Sequence, residues 1–231
     1  MSTSPIAAMF DRISPKYDAL NHLLSLNIDK VWRRKTAKAI SKSRPKTILD
    51  LATGTGDLAI ALAKSNPQAH IIGIDISDKM LEIGKAKVKA QNLESQIHLQ
   101  IGNAASLPFI DDSFDAVTVA FGVRNFEDRS HGLSEISRVV KRCGHVAILE
   151  FSMPERFPMN QLYRLYFKHI LPKIGKLVSK DATAYSYLPQ SVENFPKPDL
   201  FLKQLAETGF KNGEAKRYSF GIATLYTAEK A

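Results

Sequence analysis

The 231-residue sequence predicts an α/β fold: a mostly parallel, seven-stranded sheet with helices on both faces and an antiparallel hairpin at its carboxyl end. Three observations carry this. Short apolar, strand-like runs alternate with helix-forming stretches from Thr47 to Phe151. The first run breaks at a glycine turn, Gly54-Thr55-Gly56, which opens directly onto the helix formers Leu58 to Ala63. Two strand-like runs, Asn212–Ser219 and Ile222–Ala228, close the chain around a short turn at Phe220-Gly221.

In chain order, residues 1–8 are small and polar and read as mobile. Residues 9–43 read as two helices covering the core, with Phe10, Ile13 and Tyr17 on one stripe and Leu20, Leu23, Leu24, Ile28 and Trp32 continuing it. Pro15 is expected to interrupt the first of them, because its ring removes a donor and crowds the preceding turn. Arg33, Arg34, Lys35 and Lys38 give this region a basic face, read as solvated surface.

Residues 46–151 form the core in this reading. The run His70–Ile74 ends in Asp75, and Ser77 can cap a helix through Met80, Leu81, Ile83 and Val88. Ile97–Ile101 is a third strand, ended by Gly102-Asn103-Ala104-Ala105, and Phe114–Phe121 a fourth. A helix through Leu133, Ile136 and Val140 is expected to stop at Gly144, before a fifth strand, Val146–Phe151. Residues 152–195 break the alternation and mix aromatics with basics (Tyr163, Tyr166, Phe167, Lys168, Tyr185, Tyr187), which reads as a helical insertion over the site. A last helix, Leu200–Thr208, and the hairpin fill residues 196–231, and the whole chain reads as one domain.

The net charge of +9 is spread without a long Lys/Arg block, so charge alone leaves both nucleic acid and an anionic membrane face open. Nothing resembles a base-flipping motif or an RNA-binding module, and no nucleic-acid partner is expected. The single cysteine, Cys143, excludes an internal disulfide and fits a reducing cytoplasm. No apolar run has the length of a membrane span, so a soluble or at most peripheral protein is expected. No cysteine, histidine and carboxylate spacing suggests a metal site.

A strand, a glycine turn and a helix opening place a nucleotide-like ligand at the strand's carboxyl end. Glycines there let ligand and backbone approach closely. Asp75, after the second strand, is placed to accept both hydroxyls of a ribose. Gly54-x-Gly56-x-x-Ala59 followed by an acid also fits the dinucleotide fingerprint. Asp57, however, sits where a pyrophosphate would bind and suits a cationic ligand such as the sulfonium and amino groups of S-adenosylmethionine. A nicotinamide-linked oxidoreductase would also need a second half or a substrate domain, for which the chain leaves little room.

The glycine turn, Asp75, Asn103-Ala104 and the terminal hairpin together resemble the Rossmann-like class I S-adenosylmethionine-dependent methyltransferases. A narrower resemblance rests on Met9-Phe-Asp-Arg-Ile-Ser-Pro-Lys-Tyr-Asp18, Leu20-Asn-His-Leu-Leu-Ser25, Trp32-Arg-Arg34 and Phe121-Gly-Val-Arg-Asn125. Leu149-Glu-Phe-Ser152, Leu171-Pro-x-Ile-Gly175, and Tyr185-Ser-Tyr-Leu188 with Ser191 extend it. From Met9 onward the chain is similar to the menaquinone/ubiquinone-biosynthesis C-methyltransferase family.

That resemblance implies methyl transfer from S-adenosylmethionine to a ring carbon of a prenylated quinol, demethylmenaquinol in the first place and a benzoquinol as the alternative. Another aromatic O-methyltransferase is the nearest confusion. Thr55, Asp75, Asn103 and Ala104 carry over as cofactor contacts, and Gly54 and Gly56 of the turn are expected to bind the cofactor with them. Two positions depart from the pattern: Ala120 stands where some members have a serine contacting the cofactor, and Arg142-Cys143-Gly144 replaces Pro-Gly-Gly.

Loss of the quinol proton develops phenolate charge, which calls for a cation or donor. Arg124, just past the fourth strand, is the candidate; its alternative is a salt bridge with Asp128 or Glu127. Asn125 is a candidate for orienting the quinol oxygen or a water. Tyr17, Asp18 and His22 are expected to line the substrate cleft, with His22 either a base or a packed, capping residue. The insertion reads either as a shield over the site or as a surface in transient contact with a membrane, its lysines meeting lipid phosphates.

Overall fold

A computed structural model describes residues 5–166 and 182–231, and of Leu24 and residues 182–186 the backbone alone. The β-branched and leucine runs become strands because both sheet faces are covered. Ile48, Leu49, Leu51, Val117, Val119, Val146 and Ile148 have no accessible surface. The strands are β1 (Thr47–Leu51), β2 (His70–Asp75), β3 (Ile97–Ile101), β4 (Phe114–Ala120), β5 (Val140–Phe151), β6 (Phe210–Tyr218) and β7 (Ala223–Lys230), in the spatial order β3-β2-β1-β4-β5-β7-β6. β1 to β5 pair in parallel, and β7 runs antiparallel between β5 and β6.

The helices are α1 (Pro5–Leu24), α2 (Ile28–Ser41), α3 (Asp57–Ser65), α4 (Asp78–Ala90), α5 (Arg129–Val139), α6 (Met159–Leu165), α7 (Ala182–Glu193) and α8 (Pro198–Glu207). Strand alternation sorts them into two layers. Ile48 joins the core of α2, α3 and α4 (Trp32, Leu58, Leu62, Leu81), while Leu49 and Leu51 join that of α5 and α8 (Leu133, Ile136, Phe201, Leu205). Ser77 caps α4 as expected, accepting from Met80 N at 3.2 Å.

Three local expectations are corrected. Residues 5–8 belong to α1 and Ala7 is buried, while residues 1–4 lie outside the described part. Pro15 sits inside α1 without breaking it. A proline leaves the carbonyl four residues earlier without its donor, and the Ser14 hydroxyl supplies one to Asp11 O at 3.0 Å. The helix expected to reach Gly144 ends at Val139, and β5 begins at once. Its register slips between Val140, opposite Phe114, and His145, opposite Ala116, forming a bulge. In the bulge Cys143 takes a φ of 58°, and a Cβ on Gly144 would lie 3.0 Å from Asp115 O.

The carboxyl ends of β1, β2, β4 and β5 share one edge of the sheet. α1 lies across it, and α7 from the insertion docks on the 3-10 turn Val123–Asn125. Phe167, Lys168 and the Leu171-to-Gly175 motif fall outside the described residues, as does the side chain of Tyr185. Among the described residues, no helix is long and apolar enough to cross a membrane.

Candidate active site

Where β1 and β4 end, both chains turn through the left-handed region without glycine, at Ala52 (φ 50°) and Phe121 (φ 60°). Such conformations are strained for residues with a Cβ and persist where the surroundings impose them. Gly122 lets the two turns meet, since a Cβ on it would come within 2.5 Å of the Ala52 Cβ. Gly54 (φ 56°) follows, with no protein atom within 4 Å of where its Cβ would stand, so a ligand can lie against the backbone there.

Two clefts open at this edge. The first is lined by Gly54, Asp75, Asn103, Ala104, Tyr17 and Asn125, among others. The Asp75 carboxylate accepts from Gly54 N at 2.8 Å and Ser77 N at 2.9 Å, which fixes both its own position and that of the turn. A carboxylate has further lone pairs, so this one can still accept from a ligand's hydroxyls. Burial pushes the Asp75 carboxyl above the usual range, against the pull of those amide hydrogen bonds. Asn103 accepts from Ala105 N at 2.9 Å, and a ring nitrogen of His131 lies 2.8 Å from Ala105 O, bracing the loop after β3.

The second cleft is lined by aromatics and by Arg124, Arg33, Asn21 and Tyr187, and it shares Phe10, Tyr17 and Phe121 with the first. Phe121 stacks on Phe151 with ring centroids 4.3 Å apart, and Trp32 packs on both at 6.2 Å. The Arg124 guanidinium lies over Phe151 at 5.5 Å. Burial raises the Tyr17 phenol, although Arg124 and Arg33 pull it back, so the hydroxyl keeps its proton at neutral pH.

Arg124 pairs with neither Asp128 nor Glu127. Its Nη1 lies 3.1 Å from Oε2 of Glu150, a carboxylate with no accessible surface, and also donates to Phe121 O. Its backbone N donates to Glu150 Oε1 at 3.1 Å. Asp128 instead caps α5, accepting from His131 N. The Nε of Arg124, a residue lining the second cleft, is buried with no partner among the described residues. Asn125 is held at both ends: its Oδ1 accepts from the Tyr187 hydroxyl at 2.9 Å, and its Nδ2 donates to Phe121 O at 3.4 Å.

Five residues expected at the site line neither cleft: Asp18, His22, Thr55, Gly56 and Asp57. His22 lines neither cleft; its Nδ1 is 2.9 Å from Asp29 and its Nε2 3.7 Å from Asp57, which ties α1 to α2 and α3. The Thr55 hydroxyl donates to Asp18 at 2.6 Å, and neither Thr55 nor Gly56 lines the first cleft. Asp57 forms an ion pair with Lys87, which also holds Asp18 at 2.9 Å, so its charge is already answered within the protein. His22, Asp29 and Asp57 do offer ligand atoms within 4.8 Å of one another, a cluster that spacing along the chain did not reveal. Arg33 on Asp29 and Lys87 on Asp57 already neutralise both carboxylates.

The family model described as the ubiE/COQ5 methyltransferase family matches residues 1–230. The chain belongs to this family. It is 48% identical over 225 residues to a demethylmenaquinone methyltransferase of Bacteroides fragilis, covering 97% of this chain and 92% of that one. It is 49% identical over 226 residues to the ubiquinone/menaquinone biosynthesis C-methyltransferase UbiE of Geotalea daltonii, covering 97% and 96%. Among solved structures, the [4+2]-cyclase SpnF matches with a TM-score of 0.75 at 16% identity, covering 100% of this chain and 97% of that one. A SAM-dependent methyltransferase of Thermotoga maritima matches with a TM-score of 0.65 at 16% identity, covering 97% and 99%. At such identity these two show the fold alone.

Three residues that line or brace this methyltransferase's candidate site went unassigned in the sequence. Glu150 and Tyr187 sit inside motifs that supported the resemblance, and an acid within the apolar run Val146–Phe151 was the available signal for the first. Asp50, also on an apolar strand, lies beneath the glycine turn. It accepts from the hydroxyls of Thr53 (2.6 Å) and Thr118 (2.7 Å), and burial pushes its carboxyl up to about 6 despite them.

Proposed function

We propose that this chain methylates a ring carbon of a prenylated quinol, converting demethylmenaquinol to menaquinol in menaquinone biosynthesis, and that it acts as a single domain. The observation that supports it best is the junction of the two clefts at Tyr17 and Phe121. A donor held in the polar cleft and a ring held in the aromatic cleft meet there.

Gly54, Asp75, Asn103 and Ala104 would hold S-adenosylmethionine, with Thr55 and Gly56 shaping the turn through their backbone. When bound, that cofactor supplies an activated methyl group. The stacked Phe121 and Phe151 offer an apolar face to a ring. Arg124, whose buried Nε has no partner among the described residues, would stabilise the quinol oxygen as it loses its proton. Tyr17, kept neutral by burial, is a hydrogen-bond donor to the same substrate. Asn125, fixed by Tyr187 and Phe121 O, orients the oxygen or a water that takes the proton. His22 takes no part in proton transfer, because Asp29 and Asp57 engage its ring nitrogens and it lines neither cleft.

The prenyl tail is held by lipid at about 0.8 kcal/mol per methylene, so the enzyme works at the inner face of the cytoplasmic membrane, in transient contact with it. A benzoquinol is the second reading, favoured by the double name of the Geotalea relative. Incubation with methyl-labelled S-adenosylmethionine and each quinol class, followed by locating the label, tests both. Label on a ring carbon of the naphthoquinol supports the proposal, and label confined to oxygen overturns it.

A further inference from the structure

Eight of the eleven large apolar side chains that stand exposed among the described residues fall in three segments: Leu23 to Val31 at the turn from α1 to α2, Phe157 to Leu165 at α6, and Phe220 at the tip between β6 and β7. Single exposed leucines need no explanation, but a cluster of this kind marks a contact surface. Phe220 is the clearest member. It is 80% exposed and has a φ of 60°, so neither packing nor turn preference accounts for a phenylalanine there.

The three segments are tied together around the second cleft. Trp32 Nε1 donates to Ser219 Oγ at 3.1 Å, joining α2 to the hairpin tip. Ser152 Oγ donates to Gly221 O at 2.8 Å, joining the tip to the chain that leads into α6. Tyr163 of α6 belongs to one apolar cluster with Leu188, which lines the second cleft, as does Ser25 from the α1–α2 turn. Among the described residues, cations outnumber acids beside these segments. Lys30, Arg34, Lys35, Arg156 and Arg164 are exposed. The acids beside them are answered within the protein, Asp29 by Arg33 and Glu155 by Arg217 at 2.9 Å.

We propose that this rim is the surface by which the enzyme docks on an anionic phospholipid bilayer. Apolar side chains enter the interface while the flanking cations meet phosphates, the pattern of an interfacial rather than a spanning protein. The proposal rests on the prenylated-quinol reading and deepens it: the rim surrounds the aromatic cleft, so the ring can enter the protein while its tail stays in lipid. It also relocates the membrane contact. Among the described residues, the insertion supplies α6 to it, and the α1–α2 turn and the hairpin tip supply the rest.

Co-sedimentation of the full chain with phosphatidylcholine vesicles, with and without phosphatidylglycerol, tests this. The wild type should partition onto the phosphatidylglycerol vesicles and be partly released by high salt. The combined variant Leu26→Ser, Leu162→Ser and Phe220→Ser should partition at least about tenfold less. It should melt as the wild type does, turn over a short-tailed quinol normally, and lose turnover of a long-tailed quinol in vesicles. Ile110→Ser, equally exposed but off the rim, should change nothing. Equal partitioning of wild type and combined variant would overturn the proposal, as would a wild type that ignores anionic vesicles. A wild-type dimer that the same variant makes monomeric would also overturn it, since a second copy would then cover the rim. Failure of the quinol reading shows separately, as absent turnover of the short-tailed quinol by the wild type.

Discussion

Arg124 and Glu150 form an ion pair 3.1 Å apart, with 7% of one side chain and none of the other exposed. Glu150 is a buried acid on an interior strand, held in place by the backbone amides of Arg124 and Phe151. The pair therefore fixes where the guanidinium stands while one of its donors, Nε, faces no other partner among the described residues. Stability and chemistry are separable here. Arg124→Ala should cost about 3 kcal/mol, as on breaking a buried pair, and roughly two to three orders of magnitude in turnover, as on deleting an oxyanion donor. Adding Glu150→Gln removes the uncompensated charge and should restore much of the stability but none of the turnover. Thermal melts and single-turnover rates of the two variants check this; recovery of both together would make Arg124 purely structural. Arg124→Lys keeps charge without the planar fork and should recover little of the rate.

Tyr187 is a positioning residue for Asn125. Tyr187→Phe removes one hydrogen bond and little volume, so S-adenosylmethionine affinity should be unchanged while kcat falls about three- to tenfold. Asn125→Ala should abolish the effect of the second change, since no amide is left to orient. A double-mutant cycle with additive losses would refute the coupling.

Asp75→Ala should weaken S-adenosylmethionine binding by roughly ten- to a hundredfold, through lost charge-assisted hydrogen bonds and a loosened Gly54 turn. Burial raises this carboxyl above its ordinary value. Cofactor affinity should therefore begin to fall at a higher pH than an exposed aspartate would predict as the medium is acidified. Calorimetric titration across mildly acidic pH tests it, and an affinity flat down to the ordinary carboxylate range would count against it.

Asp115 makes a pH prediction away from the site. Partial burial pushes its carboxyl up, but hydrogen bonds from Lys141 and from Thr47 and Lys46 outweigh that and hold it at about 2. A depressed carboxyl stabilises the fold above its unfolded value near 3.8 and loses that contribution as pH falls toward about 2. Screened by solvent, the contribution is about 1–2 kcal/mol. Asp115→Asn should be less stable than the wild type at neutral pH, and the gap should close between pH 4 and 2, as followed by denaturant unfolding.

Local chemistry along the chain determined much of this protein. The alternation of apolar runs defined β1 to β5, the Ser77 cap and the antiparallel pair at the end, because burial on both faces leaves its period in the sequence. The glycine turn and Asp75 were legible for the same reason: a close backbone approach and a strand-end acid each need a particular residue type. What only the tertiary structure decided depends on partners far apart in the chain. Pro15 stays in its helix because Ser14 replaces the missing donor, and β5 starts early because a bulge lets it pair with β4. His22 and Thr55 face carboxylates that fold back from other helices, Asp29 and Asp18, and so leave the clefts. Arg124 finds Glu150 rather than its neighbours Glu127 and Asp128, since β5 lies beside the turn after β4 and a buried acid must be answered by the nearest cation. The apolar rim was equally invisible in one dimension: its members are ordinary surface residues until the fold gathers them around one cleft.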